Sequence, residues 1–180
     1  MRSLLHQFDL SLTRSIQHLP SWVEPFMTTV SFVGKPIFTA SICIAVGALG
    51  LAWHNLKLFY AGCVGVGTIV LGVLLKLILK RDRPFTDYVL NMSLDTPSFP
   101  SGHAVGSTIA YGLAAYLLLQ ILPAPWGYIA AGILALLIVS IGISRVYLGA
   151  HFPSDVLAGW LLGIVGLAII ILLVRPRIIL

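Results

Sequence analysis

Five runs of almost unbroken apolar residues set the terms for this chain. They cover roughly 36–53, 57–79, 103–122, 126–144 and 156–174. A helix needs about 20 apolar residues to cross the hydrocarbon of a bilayer, and these lengths suit it. Lipid offers no partner to a backbone N–H or C=O, so each run must satisfy its own groups as a helix. Some of the links are only turn-like, as in HNLK and LPAPW. The expectation is an all-α, polytopic membrane helix bundle, folded as one domain over residues 1–180. Composition agrees: 58% of the residues are hydrophobic and 9% charged, against about 25% charged in a soluble domain.

The N-terminal region is less decided. Residues 1–18 place Leu4, Leu5, Phe8, Leu12 and Ile16 at helical spacing. That pattern suits an amphipathic helix lying in the membrane interface, with a frayed terminus as the alternative. Residues 20–34 are apolar but short, and they carry Glu24 and Pro25. They form either a short sixth span or an interfacial segment. No cleavable signal is expected, because no apolar core leads into a small-residue cleavage site. Cys43 and Cys63 sit inside apolar runs and read as small fillers rather than as a disulfide or metal ligands. Gly62, Gly65 and Gly67, and Gly159, Gly163 and Gly166, thin two helices for close packing. The Gly159–Gly163 pair also suits a contact between copies, which leaves a homodimer open.

The net charge of +5 does not read as nucleic-acid binding. Basic residues lie at span ends or in three polar islands, and no nucleic-acid module is present. The islands are KLILKRDRP from Lys76 to Pro84, PSGH from Pro100 to His103, and SRVYLGAHFPSD from Ser144 to Asp155. Ionisable groups clustered beside membrane spans are expensive and mark function by default. Two spans separate the link 80–102 from the link 145–155, so the chain returns to the same side. All three islands therefore meet at one membrane face.

Their residue types suit an oxyanion. Arg83 and Arg145 carry planar donor forks that match phosphate oxygens, and Lys76 adds a point charge. Ser101 is a natural N-cap for the 103–122 helix, whose free amides and dipole favour an anion. Gly102 lets backbone approach a phosphate closely, and His103 could give a proton to a leaving oxygen. A helix beginning near Pro153 brings Asp155 close to the ring of His151. A carboxylate on Nδ1–H leaves Nε2 free to attack. Taken singly, PSGH and HFPSD are more plainly read as helix caps. Lys80 and Arg81 read as interfacial anchors near headgroups, with a place among the phosphate ligands as the alternative. Tyr88, Asp95 and Thr96 are candidates to line the entry, but spacing gives them no stronger role than loop residues. No carboxylate cluster for magnesium and no zinc-type ligand set is present, so the chemistry is expected to need neither metal nor cofactor.

Taken together, the three blocks are similar to those of the type 2 phosphatidic acid phosphatase superfamily. Its pattern is K-x6-RP, PSGH and SR-x5-H-x3-D. Here it is matched by Lys76 with Arg83-Pro84, by Pro100-Ser101-Gly102-His103, and by Ser144-Arg145 with His151 and Asp155. The resemblance implies that His151 is the nucleophile and forms a phosphohistidine. Asp155 would orient it, and His103 would protonate the leaving group. Lys76, Arg83, Ser101, Gly102 and Arg145 would bind the phosphate. Substrates would be phospholipids or polyprenyl phosphates and pyrophosphates, such as phosphatidylglycerophosphate or undecaprenyl pyrophosphate. Soluble vanadium haloperoxidases share such a pocket, but this hydrophobicity argues against that function. A lipid phosphotransferase is the second reading, and a non-catalytic lipid-binding or transport protein the third. The resemblance also implies a multi-pass protein of the cell membrane with its site on the extracytoplasmic face. Charge does not decide orientation: Lys80 and Arg81 on one face nearly cancel Lys57, Arg175 and Arg177 on the other.

Overall fold

The computed structural model describes residues 4–91 and 96–174. These residues are all-helical, with no strand among them. The helices are α1 (Leu4–Gln17), α2 (Glu24–Val33), α3 (Pro36–Ala52), α4 (Leu56–Leu79), α5 (Asp87–Asn91), α6 (Gly102–Ile121), α7 (Trp126–Tyr147) and α8 (Pro153–Val174). A single 3-10 turn, Ser21–Val23, leads into α2. Asp95, Arg175 and Arg177, weighed above from sequence, lie outside the described residues.

Four helices, α4, α6, α7 and α8, are each long and apolar enough to cross a bilayer. The expected span at 36–53 is less simple. α3 has 17 residues, about 25 Å at 1.5 Å per residue. That falls short of about 30 Å of hydrocarbon. The segment Ser21–Val33 adjoins it with a bend of 41°, and the pair counts as a fifth crossing if taken as one broken span. The 14 residues of α1 are too few to span.

α6 is the centre of the bundle. Ala104, Val105, Ile109, Ala110 and Leu113 are all buried, packed among α3, α4, α7 and α8. Small residues let these helices close on one another. A Cβ on Gly163 would lie 2.5 Å from the Cβ of Thr108, and one on Gly166 would lie 2.5 Å from Oγ1 of Thr68. Gly159 and Gly163 thus face α6, and this surface is used inside the bundle. Gly67 differs from the expectation, because a Cβ there would meet nothing within 4 Å. Cys43 is buried and Cys63 exposed, and both are free thiols.

Helix ends, rather than helix middles, prepare the functional face. α4 stops at Leu79 because Lys80 turns left-handed at φ 45°. α7 runs past the expected end of its span to Tyr147. Gly149, at φ +74°, then reverses the chain, a conformation that glycine adopts without strain. The returning loop donates the N–H groups of Ala150 and His151 to the carbonyl of Arg145, at 3.0 and 3.2 Å. The SR-x5-H spacing is therefore a helix end folded back on itself.

Candidate active site

The last turns of α4 and α7 meet the first turns of α6 and α8 at one end of the bundle. Cations sit where helix C-termini place partial negative charge: Lys76 ends α4 and Arg145 ends α7. The N-termini of α6 and α8 are joined directly, since Ser101 N–H donates to the carbonyl of Asp155 at 2.9 Å. A Cβ on Gly159 would sit 2.7 Å from the carbonyl oxygen of Ser101, so only glycine allows this approach.

The Lys76 ammonium donates to the carbonyls of Pro97 and Ser98, at 2.9 and 3.2 Å. Its stem passes Gly102, where a Cβ would lie 3.8 Å from Cε. Ser101 stands at the N-cap position of α6 but makes no side-chain cap bond. Its buried hydroxyl has no partner among the described residues. A hydroxyl freed from capping at a helix N-terminus is suited to an anion.

Arg83 lies beyond the end of α4, in the non-helical residues 80–86. Two contacts aim it. Its Nε donates to the carbonyl of Thr96 at 2.7 Å, and Nη2 donates to Oγ1 of Thr96 at 3.0 Å. Nη1 then reaches the carbonyl of Ala150 at 2.8 Å and lies 3.3 Å from Nε2 of His151. Ser98 ties the same two loops together: its N–H donates to Arg81 O at 2.7 Å and its Oγ to Asp82 O at 2.9 Å.

Guanidinium only donates, so the Nε2 that faces Arg83 is the unprotonated nitrogen of a neutral imidazole. The proton belongs on Nδ1, which points to Oδ2 of Asp155 at 3.6 Å, longer than a hydrogen bond. That same Oδ2 accepts the N–H of Phe152 at 2.9 Å. Asp155 thus serves as the acidic residue of a capping box for α8 and faces His151 with the same oxygen. Burial holds the His151 imidazole well below its ordinary pKa, and the charges of Arg145, Lys76 and Arg83 push in the same direction. His103, in the first turn of α6, is close enough to interact electrostatically with Arg145, His151, Lys76 and Arg83.

Arg145 is 4% exposed. Its Nη1 donates to Oγ of Ser31 on α2 and to the hydroxyl of Tyr88 at 3.3 Å, with the guanidinium 5.5 Å from the centre of the Tyr88 ring. Its buried Nε has no partner among the described residues. The eight residues singled out by sequence therefore gather at one end of the bundle.

Sequence reasoning missed the ring that holds them. Ser31, Tyr88, Thr96 and Ser98 position the cations and loops, and none has a telling spacing. Arg81 departs from the expectation of a headgroup anchor. It donates to Oδ1 of Asp155 and to Oδ2 of Asp9, both at 2.6 Å, and its guanidinium lies 4.6 Å from the Phe152 ring centre. Asp9, the only acidic residue among the first 18, is the one signal that was available.

A buried imidazole beside clustered cations, at one end of a bundle this apolar, suits phosphoryl chemistry at a membrane. A family model described as the PAP2 superfamily matches residues 55–179. Phosphatidylglycerophosphatase B of Bacillus subtilis (strain 168) is 34% identical over 154 residues, covering 79% of this chain and 71% of its own length. An undecaprenyl-diphosphatase of Sulfolobus acidocaldarius is 40% identical over 99 residues, covering 53% of this chain and 44% of that protein. The crystal structure of a transmembrane PAP2-type phosphatidylglycerolphosphate phosphatase from Bacillus subtilis matches with a TM-score of 0.77 at 25% identity. That match covers 94% of this chain and 85% of the other. The chain belongs to the PAP2 superfamily and is a membrane lipid phosphatase. The family's general route runs through a phosphohistidine and is metal-independent.

Proposed function

We propose that this protein removes a terminal phosphate from a lipid phosphate monoester or pyrophosphate, with His151 as the nucleophile. The observation that carries this reading is the setting of its imidazole. Nε2 lies 3.3 Å from an Arg83 donor and Nδ1 lies 3.6 Å from Asp155. Nε2 attacks phosphorus in line, and the P–O bond to the lipid breaks. His103 gives its proton to the departing oxygen. Water then attacks the phosphohistidine, with His103 taking the water's proton, and phosphate leaves. Asp155 offsets the positive charge that develops on the ring. Lys76, Arg83, Arg145, the Ser101 hydroxyl and the backbone at Gly102 hold the phosphoryl oxygens, whose charge is the main object of stabilisation.

Support for a lipid substrate comes from an apolar groove between α4 and α8. It is lined by Leu75, Phe99, Pro100, Ala158, Leu161 and Leu162, and so it adjoins PSGH directly. The lipid tail lies there while the headgroup enters among the cations. The named relatives make phosphatidylglycerophosphate and undecaprenyl pyrophosphate the first substrates to test. In this reading the bent pair α2–α3 is one broken crossing, α1 lies in the interface, and the site faces away from the cytoplasm.

The test is phosphate release from a panel of lipid monophosphates and pyrophosphates in detergent, with and without EDTA. Release should persist in EDTA, and His151→Ala should abolish it in folded protein. Phosphate trapped on His151 as an acid-labile adduct supports the covalent route. Parental turnover by His151→Ala would remove the nucleophile assignment.

A further inference from the structure

α1 has an unusual distribution of side chains. Leu4, Leu5 and Phe8 are exposed, whereas Asp9 on the same helix is 0% exposed. A buried carboxylate needs partners, and Asp9 has three. Oδ1 accepts the N–H of Ser154 at 2.9 Å, in the first turn of α8. Oδ2 accepts from Ser154 Oγ at 2.8 Å and from Arg81 Nη2 at 2.6 Å. The other nitrogen of that guanidinium, Nη1, donates to Asp155 Oδ1 at 2.6 Å and to Ser154 Oγ at 2.7 Å. One arginine thus bridges two fully buried carboxylates. The far end of α1 is fixed as well: Gln17 Nε2 donates to the carbonyl of Val146 at 3.2 Å, and Ile16 packs beside Val146, Val156 and Trp160. α1 therefore spans the turn that carries His151.

We propose that Asp9 is a positioning residue for catalysis, acting through Arg81 to fix the carboxylate of Asp155 against His151. The inference rests on the reading of His151 as nucleophile and Asp155 as its orienter. The last torsion of an aspartate is soft, so presenting Oδ2 to a ring requires that Oδ1 be tied. Arg81 ties it, and Asp9 holds Arg81 from the opposite side. Asp9 also offsets the charge of Arg81. With Asp9 neutral, that cation is balanced by Asp155 alone, and less negative potential remains at the imidazole when it gains positive charge.

The experiment is steady-state kinetics on the full-length protein, with the lipid phosphate turned over fastest in the panel. The variants are Asp9→Asn, Asp9→Glu, Arg81→Lys, the double variant Asp9→Asn with Arg81→Lys, and Asp155→Asn. Thermal melting in detergent is followed in parallel. Asp9→Asn should lower kcat tenfold or more with KM within twofold. Asp9→Glu should recover part of the loss. The double variant should be little worse than Arg81→Lys alone. Folded Asp9→Asn with parental kcat, or fully additive losses in the double variant, overturns the proposal. If Asp9→Asn does not fold, Ser154→Ala decides, since it removes the shared hydroxyl and keeps both carboxylates. A severalfold lower kcat supports the proposal, and a parental kcat overturns it. Asp155→Asn separates the two layers. Parental activity there defeats the reading of the site itself. An inactive Asp155→Asn beside a parental Asp9→Asn defeats only the role of Asp9.

Discussion

His151 and Arg145 are held by different logic, and each can be tested alone. The ring of His151 is kept neutral, first by burial and then by Arg145, Lys76 and Arg83. A base whose pKa is depressed stays unprotonated as pH falls through the ordinary value near 6.5. Nitrogen-15 NMR of histidine-labelled protein at about pH 6 should therefore show His151 neutral and protonated on Nδ1. A charged ring at that pH, or the Nε2–H form, would contradict the arrangement with Arg83 and Asp155. Arg145 spends Nη1 on Ser31 and Tyr88, and its buried Nε has no partner among the described residues. A lysine carries its three donors on one nitrogen and lacks the planar fork that reaches the two side chains and a phosphate oxygen from separate atoms. Loss of one charge-assisted hydrogen bond costs about 1.5–3 kcal/mol, and about 1.4 kcal/mol is tenfold in rate. Arg145→Lys should lower kcat/KM by roughly ten- to hundredfold. Lys80→Arg, on an exposed residue outside the cation cluster, should leave it unchanged. Comparable kinetics for the two variants would place Arg145 outside the phosphate site.

Among the elements, α3 and α4 give the sharpest test of packing. A Cβ on Gly62 would lie 2.5 Å from the backbone nitrogen of Gly47 and 2.6 Å from the carbonyl oxygen of Cys43. Backbone cannot move aside as a side chain can, so Gly62→Ala must separate the helices. The cost should be about 1–3 kcal/mol, the range for overpacking. Gly67→Ala meets nothing within 4 Å and should gain up to about 1 kcal/mol from helix propensity. Melting in detergent should thus move in opposite directions for these two changes, and equal shifts would refute the packing. Both glycines looked alike in the sequence, because spacing along a helix says which residues share a face but not what that face meets. The motif residues were legible for a related reason. Their spacings are set by local events: the end of α4, the N-terminus of α6, and the fold-back after α7. Arg81 was not legible. A charge beside a span reads the same whether it turns to headgroups or inward, and only α1 and α8 arriving at the same place decide it.

At the scale of the whole molecule, the apolar groove beside PSGH is the proposed seat of the lipid tail. Ala158→Trp would fill it between Leu75 and Phe99. It should lower kcat/KM severalfold for a long-chain lipid phosphate and leave a short-chain, water-soluble phosphate ester near the parental value. Equal losses on both would mean that the tail does not lie in this groove. The bundle was foreseeable because lipid leaves an apolar run few alternatives, whereas the bend of 41° between Ser21–Val33 and Pro36–Ala52 was not, since length alone does not reveal it. The bond between Asp9 and Ser154 joins the first helix to the last, and this bears on the order in which the chain is made. Asp9 leaves the ribosome long before Arg81 and longer still before Ser154. On a spanning helix its charge would have to enter lipid alone and wait there. The 14-residue α1 is too short to cross, and both partners of its carboxylate come later in the chain. Closing that bond joins α1 to the first turn of α8, so the contact can form only after α8 has been made.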